Sequence, residues 1–464
     1  MYSLHKIPPP GKRENDVYGY SATEIRVRKS TAWGRDPKKY FLIVIQTQYI
    51  PPLTSVKNSL HPLPPREPLR RRGACCGVAF FIMNILFTRF PLESSFGGAE
   101  VQTLSLMKGL IEKEHEVSFV GSCPTLLQAM SDEQLAVSTK VLNIGAPPVT
   151  KWHSLSFLWR KREMKRELIN ALENEFAANR LPLTAIFMLS LTEKLLLTKW
   201  CANHGIKVIW VEHDRVGRWL SKNPWLPALR KLSALATTVV VSSLSIDLYQ
   251  KMGWKGKIVA IPNGIDIQKY ETRNTLASRS FSEGWKSEPS SPFHIGCIAR
   301  LTHDKGVDVL INAVKDLPNI HLTIIGTGRE ESAVQSLLKK NLQATSYKLQ
   351  ATHENIADFY RSIDVLVLPS REHDPFGLVV AEAMASGVPT ICTDACGIAS
   401  YLNSAESIIV SAGNVKKLRD AILQIQQHDQ WTHLSSLGPI VAKNRFSLSA
   451  MVERYDALLC GFAN

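Results

Sequence analysis

Residues 369–389 read Pro369-Ser370-Arg371-Glu372-His373-Asp374-Pro375-Phe376-Gly377-Leu378-Val379-Val380-Ala381-Glu382-Ala383-Met384-Ala385-Ser386-Gly387-Val388-Pro389. A short apolar run, Asp364 to Leu368, leads into this segment and reads as a strand. A polar loop follows, and Pro375 suits an early helical position. Val379 to Ser386 then reads as a helix, with Phe376, Gly377 and Leu378 offering bare backbone N–H groups at its start, where an anion is favoured. Two carboxylates sit eight positions apart, Asp374 in the loop and Glu382 on the helix. A loop carboxylate can grip sugar hydroxyls, and a helix carboxylate can accept both hydroxyls of a ribose. The plain alternative for Glu382 is an exposed helix residue.

The same strand, loop and helix order repeats on both sides. Downstream of residue 292, His294 to Ala299, His321 to Ile325, Pro389 to Cys392 and Ser407 to Val410 read as further strands, with Val307 to Lys315 as a helix between them. Upstream, Ile85 to Phe90, Val117 to Val120, Ala185 to Met188, Val208 to Val211, Val239 to Ser242 and Ile258 to Ile261 read as a second series, with a helix over Val101 to Lys113. Short apolar runs separated by helices predict parallel sheets covered on both faces. The expected fold is therefore α/β, two doubly wound Rossmann-like domains facing a cleft, with ligands at the carboxyl ends of the strands. The expected division is 83–267, a polar linker over 268–292, 293–445, and a C-terminal helix over 446–464 that packs back on the first domain.

Strand ends carry the remaining candidates. Phe96-Gly97-Gly98-Ala99-Glu100 opens a helix, where glycine lets backbone approach an anionic ligand. Val211-Glu212-His213-Asp214 ends a strand, so His213 faces the cleft and Glu212 or Asp214 could orient its ring. Ile261-Pro262-Asn263-Gly264 reads as a turn with a structural task. Arg300 and Lys305 bracket the loop Ala299 to Gly306; beside a helix start, two cations suit a diphosphate. Ile325-Gly326-Thr327-Gly328-Arg329 is another glycine turn after a strand.

Composition narrows the classes. The 464 residues are 45% hydrophobic and 21% charged, which excludes disorder of the whole chain. The net charge is +14, but residues 1–82 hold 14 Lys and Arg against 5 Asp and Glu. The rest of the chain carries little excess charge, so nucleic acid is not expected as a partner. Residues 1–82 also hold 10 of the 25 prolines and, Tyr40 to Ile45 aside, no sustained period. They are expected to be a disordered extension, or an artefact of an upstream start codon. Eight scattered cysteines point to reduced thiols in a cytoplasmic protein. No apolar run approaches the roughly 20 residues of a membrane helix. Aromatic and basic residues do interleave over Lys151 to Arg166 (Trp152, Phe157, Trp159) and Arg215 to Lys231 (Trp219, Trp225), a composition suited to the surface of an anionic membrane.

In this order and spacing the six segments resemble family 4 of the retaining glycosyltransferases over about residues 83–464, a family with the GT-B fold. The segment at 369–389 resembles its E-x7-E motif, with Asp374 in place of the first Glu. The resemblance implies transfer of a sugar from a nucleotide-diphosphate sugar to a glycan or lipid-linked saccharide, with retention and front-face geometry. It implies that Arg300 and Lys305 hold the diphosphate, Glu382 the ribose and Asp374 the donor sugar hydroxyls. It further implies His213 beside that sugar, Gly97 and Gly98 in a loop over donor and acceptor, and Phe376, Gly377, Leu378, Gly326 and Gly328 around the donor. His213, Asp374, Arg300 and Lys305 are the expected catalytic set. No cofactor or metal is expected, and no D-x-D sequence occurs. A nucleotide-sugar epimerase, a phosphorylase of the same fold and a non-catalytic glycan-binding protein are the alternatives.

Overall fold

The computed structural model describes residues 82–90, 98–145, 147–148, 150–178, 182–213, 218–271, 292–341, 346–353 and 355–461. The readings at Tyr40–Ile45, Gly97 and Asp214, and nearly all of 1–82, lie outside them.

Among the described residues, thirteen strands form two sheets. The first takes β1 (Asn84–Arg89), β2 (Glu116–Gly121), β3 (Ser138–Val141), β4 (Leu183–Met188), β5 (Lys207–Glu212), β6 (Thr237–Val240) and β7 (Ile258–Ala260) in the order β3-β2-β1-β4-β5-β6-β7. The second takes β8 (Phe293–Ile298), β9 (Ile320–Ile325), β10 (Ser346–Gln350), β11 (Val365–Leu368), β12 (Thr390–Thr393) and β13 (Ile408–Val410) in the order β10-β9-β8-β11-β12-β13. Every pairing is parallel. Central strands such as β11, Val-Leu-Val-Leu, are wholly buried because helices cover both faces.

In each sheet the strand order reverses once, between β1 and β4 and between β8 and β11. Connections leave in opposite directions at that point, which opens a crevice at the carboxyl ends of those strands. The loops that carry Arg300 and Lys305 (after β8) and Asp374 (after β11) flank the crevice of the second sheet.

Two strands escape the sequence reading, β3 and β10. Both are edge strands, Ser-Thr-Lys-Val and Ser-Tyr-Lys-Leu-Gln, with largely exposed or half-buried side chains. An edge strand covered on one side needs no continuous apolar run, so it leaves none in the sequence.

Two local readings are corrected. The helix after β11 spans Leu378–Ala385 and starts after Pro375, not around it. Gly377 is its N-cap with φ of 99°, a left-handed turn through which a helix cannot extend backward. The segment read as a linker from 268 begins as a helical turn, Ile267–Tyr270. Asp266 caps it by accepting from the backbone N–H of Gln268 at 3.1 Å, and Tyr270 is buried.

The chain crosses between the halves at its end. Ile265 pairs with the 446–448 segment, its N–H donating to the Phe446 carbonyl (2.7 Å) and its carbonyl accepting from Leu448 (3.0 Å). The helix Leu448–Cys460 then lies on the first half. Met451, Val452, Tyr455 and Leu459 join the core that holds Phe87, Phe119 and Phe187.

Candidate active site

A cavity of about 690 Å³ lies at the facing carboxyl ends of the two sheets. From the first half it is lined by Gly98, Ala99, His213 and Asn263; from the second, by the loops after β8, β9, β10 and β11, including Arg300, Lys305, Gly326, Asp374, Phe376, Gly377 and Leu378. The first turns of two helices, Gly98–Glu112 and Leu378–Ala385, meet across it: a Cβ at Gly98 would stand 3.4 Å from the Leu378 side chain. Each helix start presents backbone N–H groups with no intrahelical acceptor. The walls also touch directly, through Ser245 and His373 (3.3 Å) and the Tyr401 hydroxyl donating to the Val241 carbonyl (3.1 Å).

Lys305 and Asp374 form an ion pair at 2.6 Å, both nearly buried. The carboxylate oxygen that takes Lys305 also accepts from the Ser370 hydroxyl at 3.2 Å. The backbone of Asp374 is pinned as well, its N–H on Ala395 and its carbonyl under Gly397. The acidic loop is therefore fixed from beneath. Arg300 is exposed and lines the cavity from the same loop after β8 that carries Lys305.

His213 sits among cations. Burial, then the charges of Arg89 and Lys194, push its pKa down to about 4, against a hydrogen bond to Asn263. The ring is neutral at pH 7, and its Nδ1 has no hydrogen-bond partner among the described residues. Asn263, not Glu212, holds the ring. Glu212 is taken by Lys194 at 2.8 Å, and Lys194 also donates to the Val211 carbonyl. Arg89 in turn pairs with the buried Glu100 in the first turn of the Gly98 helix. Asn263 thus has a place in the site that its turn-forming sequence did not reveal; the signal available was its position at the carboxyl end of β7. Its turn is clamped to the same helix, where Gln102 donates to the Gly264 carbonyl (2.7 Å) and accepts from the Gly264 N–H (2.9 Å).

Other expected residues fall differently. Phe376 offers the cavity little but backbone, since its ring is buried and packs edge-on against Tyr401 and Phe446. Gly326 lines the cavity, at φ of 148°, and a Cβ there would meet the Ala299 carbonyl oxygen at 1.9 Å. Gly328 stands off the cavity against the Leu301 backbone. Glu382 is not on the cavity wall either. It lies one turn beyond Val379, where the Tyr360 hydroxyl donates to its Oε2 at 2.7 Å and Tyr270 supplies a second hydrogen bond. Thr327 lines the cavity from the glycine turn after β9, and Thr352 and His353 line it from the loop after β10, which no motif marked.

Two parallel sheets of one topology, facing each other across a cleft at their strand ends, define the GT-B class of two Rossmann-like domains. HepE from Anabaena, solved in complex with UDP, has this architecture at a TM-score of 0.63 and 16% identity, the likeness covering 82% of this chain and 100% of that one. The family model described as Glycosyltransferase Family 4 matches residues 96–269, and that described as Glycosyl transferases group 1 matches residues 282–433. The chain belongs to the family 4 glycosyltransferases. A lipopolysaccharide core biosynthesis mannosyltransferase, LpsB of Rhizobium meliloti, is 28% identical over 176 residues, 35% of this chain and 50% of that protein. A GDP-mannose-dependent monoacylated alpha-(1-6)-phosphatidylinositol monomannoside mannosyltransferase of Corynebacterium glutamicum is 25% identical over 175 residues, 36% of this chain and 46% of that protein. The chain spans about half the length of these curated relatives.

Proposed function

We propose that the protein is a retaining glycosyltransferase that moves a sugar from a nucleotide-diphosphate sugar to a glycan or lipid-linked saccharide of a cell-surface polysaccharide. One observation carries this reading: Arg300, Lys305, Asp374, His213 and two helix starts converge on a single cavity at the strand ends. The donor diphosphate lies between Arg300, Lys305 and the N–H groups at Leu378. These fixed charges stabilise the negative charge that builds on the leaving diphosphate, the task a divalent cation performs elsewhere. The neutral ring of His213, held by Asn263, faces the donor sugar, and Asp374 takes its hydroxyls. The acceptor hydroxyl attacks from the face the diphosphate leaves, and a departing phosphate oxygen takes its proton. Glu382, set back one helical turn from the cavity-lining Val379, accepts the ribose hydroxyls. The relatives' printed names, lipopolysaccharide and phosphatidylinositol mannoside mannosyltransferases, support a sugar donor and a surface-glycan acceptor.

Thermal unfolding with UDP, GDP and ADP tests the donor site. Ligand at about 100 times its Kd raises stability by ~2.7 kcal/mol. A rise with one of the three, lost in Glu382→Ala, is the expected result; no rise with any of them would sink the reading.

For the acceptor side we propose contact with an anionic membrane. Along the helix Lys151–Ala178, Phe157, Met164 and Leu168 are buried, whereas Trp152 and Trp159 are 81% and 85% exposed. Trp152, Leu155, Trp159, Arg162 and Arg166 follow at helical spacing on the outer face. Of the aromatic residues read as membrane-facing, Phe157 and Trp225 instead pack edge to face, their ring centroids 5.0 Å apart, with Lys161 over Trp225. No helix among the described residues is long and apolar enough to cross a membrane. The six described cysteines are free, which supports a cytoplasmic setting. Flotation with vesicles containing phosphatidylglycerol should recover the wild type and lose the Trp152→Ser, Trp159→Ser double variant at least tenfold, as two interfacial aromatics warrant. Equal recovery of the two would remove the membrane surface.

A further inference from the structure

We propose that Tyr270 is a positioning residue for the nucleotide: its hydroxyl, with that of Tyr360, holds the Glu382 carboxylate so that two lone pairs remain for the two ribose hydroxyls. The inference rests on the reading of Glu382 as the ribose acceptor. An ionised carboxylate offers about four lone-pair sites. Tyr360 takes one at 2.7 Å and Tyr270 takes another. The two that remain match the two neighbouring hydroxyls of a ribose. Both tyrosines are buried, and their rings meet edge to face at 5.9 Å, so neither can swing away without opening the core.

The two phenols arrive from different places. Tyr360 belongs to the helix Ile356–Ser362, whose first residue lines the cavity. Tyr270 belongs to the turn Ile267–Tyr270, at the end of the segment leaving the first half. The nucleotide carboxylate is thus set partly by the chain that joins the halves.

The groups around Glu382 decide what the hydroxyl does. Burial raises the Glu382 pKa; the hydrogen bonds from Tyr360 and Tyr270 and the charge of Lys269 pull it back down. The charges on the neighbouring helix His428–Phe446 point elsewhere, Lys443 to Glu271 and Arg445 to Glu406. On β12, Cys392 faces Cys396 and Asp374. Removing the Tyr270 hydroxyl therefore raises the Glu382 pKa further, and the carboxyl takes a proton at a higher pH than in the wild type.

The test is calorimetric titration of UDP, GDP and ADP, each into the full chain, across pH 5 to 8, for the wild type, Tyr270→Phe and Glu382→Gln. Tyr270→Phe keeps the ring and loses only the hydroxyl. Its nucleotide affinity at pH 7 should fall ~10-fold, the worth of about one hydrogen bond to a charged group. The pH below which affinity is lost should move upward, a change that ring packing alone would not produce. If Glu382→Gln loses binding while Tyr270→Phe keeps the wild-type affinity and acid limb, Tyr270 has no positioning role and the ribose reading stands. If Glu382→Gln binds like the wild type, or the wild type binds none of the three, the ribose reading fails and this inference with it.

Discussion

Lys305→Ala is expected to lower kcat/KM for sugar transfer by ~10²–10³-fold, the range seen when one preorganised donor to developing charge is removed. The ammonium is the most enclosed cation on the cavity wall and already bears on Asp374 at 2.6 Å. In the donor complex proposed above it would face charge from two groups, the Asp374 carboxylate and the diphosphate. The substitution also leaves Asp374 with Ser370 as its remaining side-chain partner, so some stability is lost too. Lys305→Arg separates the effects: it keeps the charge but replaces a compact ammonium with a planar fork. It should restore stability more fully than turnover. Steady-state kinetics alongside thermal unfolding would read both, and Lys305→Ala turnover within threefold of the wild type would remove Lys305 from the chemistry.

Tyr455→Ala should destabilise the protein by about 3–5 kcal/mol, as large aromatic-to-alanine changes in a core do. Tyr455 is 2% exposed, its ring centroid lies 5.9 Å from that of Phe187, and Phe187 stacks on Phe87 at 4.5 Å. The substitution hollows out a layer shared by β1, β4 and the Leu448–Cys460 helix. Urea unfolding followed by tryptophan fluorescence would measure the loss. A change under about 1 kcal/mol would mean that the helix sits loosely, against the packing described.

Much of this architecture is legible in the sequence, for physical reasons that also mark where legibility stops. Strands buried on both faces must be apolar throughout, so β11 and β12 announce themselves. Edge strands β3 and β10 carry no such demand and went unread, and with β10 went the loop that places His353 on the cavity. Arg300 and Lys305 were found because a strand followed by a cationic loop and a helix has one common geometry. Asn263 and Tyr270 were not, because their partners, His213 and Glu382, are remote in sequence and only the folded chain brings them together. The aromatic-basic segments make the same point. Trp159 and Trp225 lie in similar company in the sequence, yet one faces solvent and the other packs on Phe157.

The returning C-terminal helix bears on how the protein is made. The ribosome delivers the strands of the first sheet early, but Met451, Val452, Tyr455 and Leu459, which close one side of that sheet's core, emerge only after the whole second half. The second half can settle as its own unit while the first waits with an apolar wall uncovered. Nascent chains stalled before residue 448 should therefore hold a protease-resistant second half beside a first half that still calls on chaperones. In this molecule the half synthesised first is the half completed last.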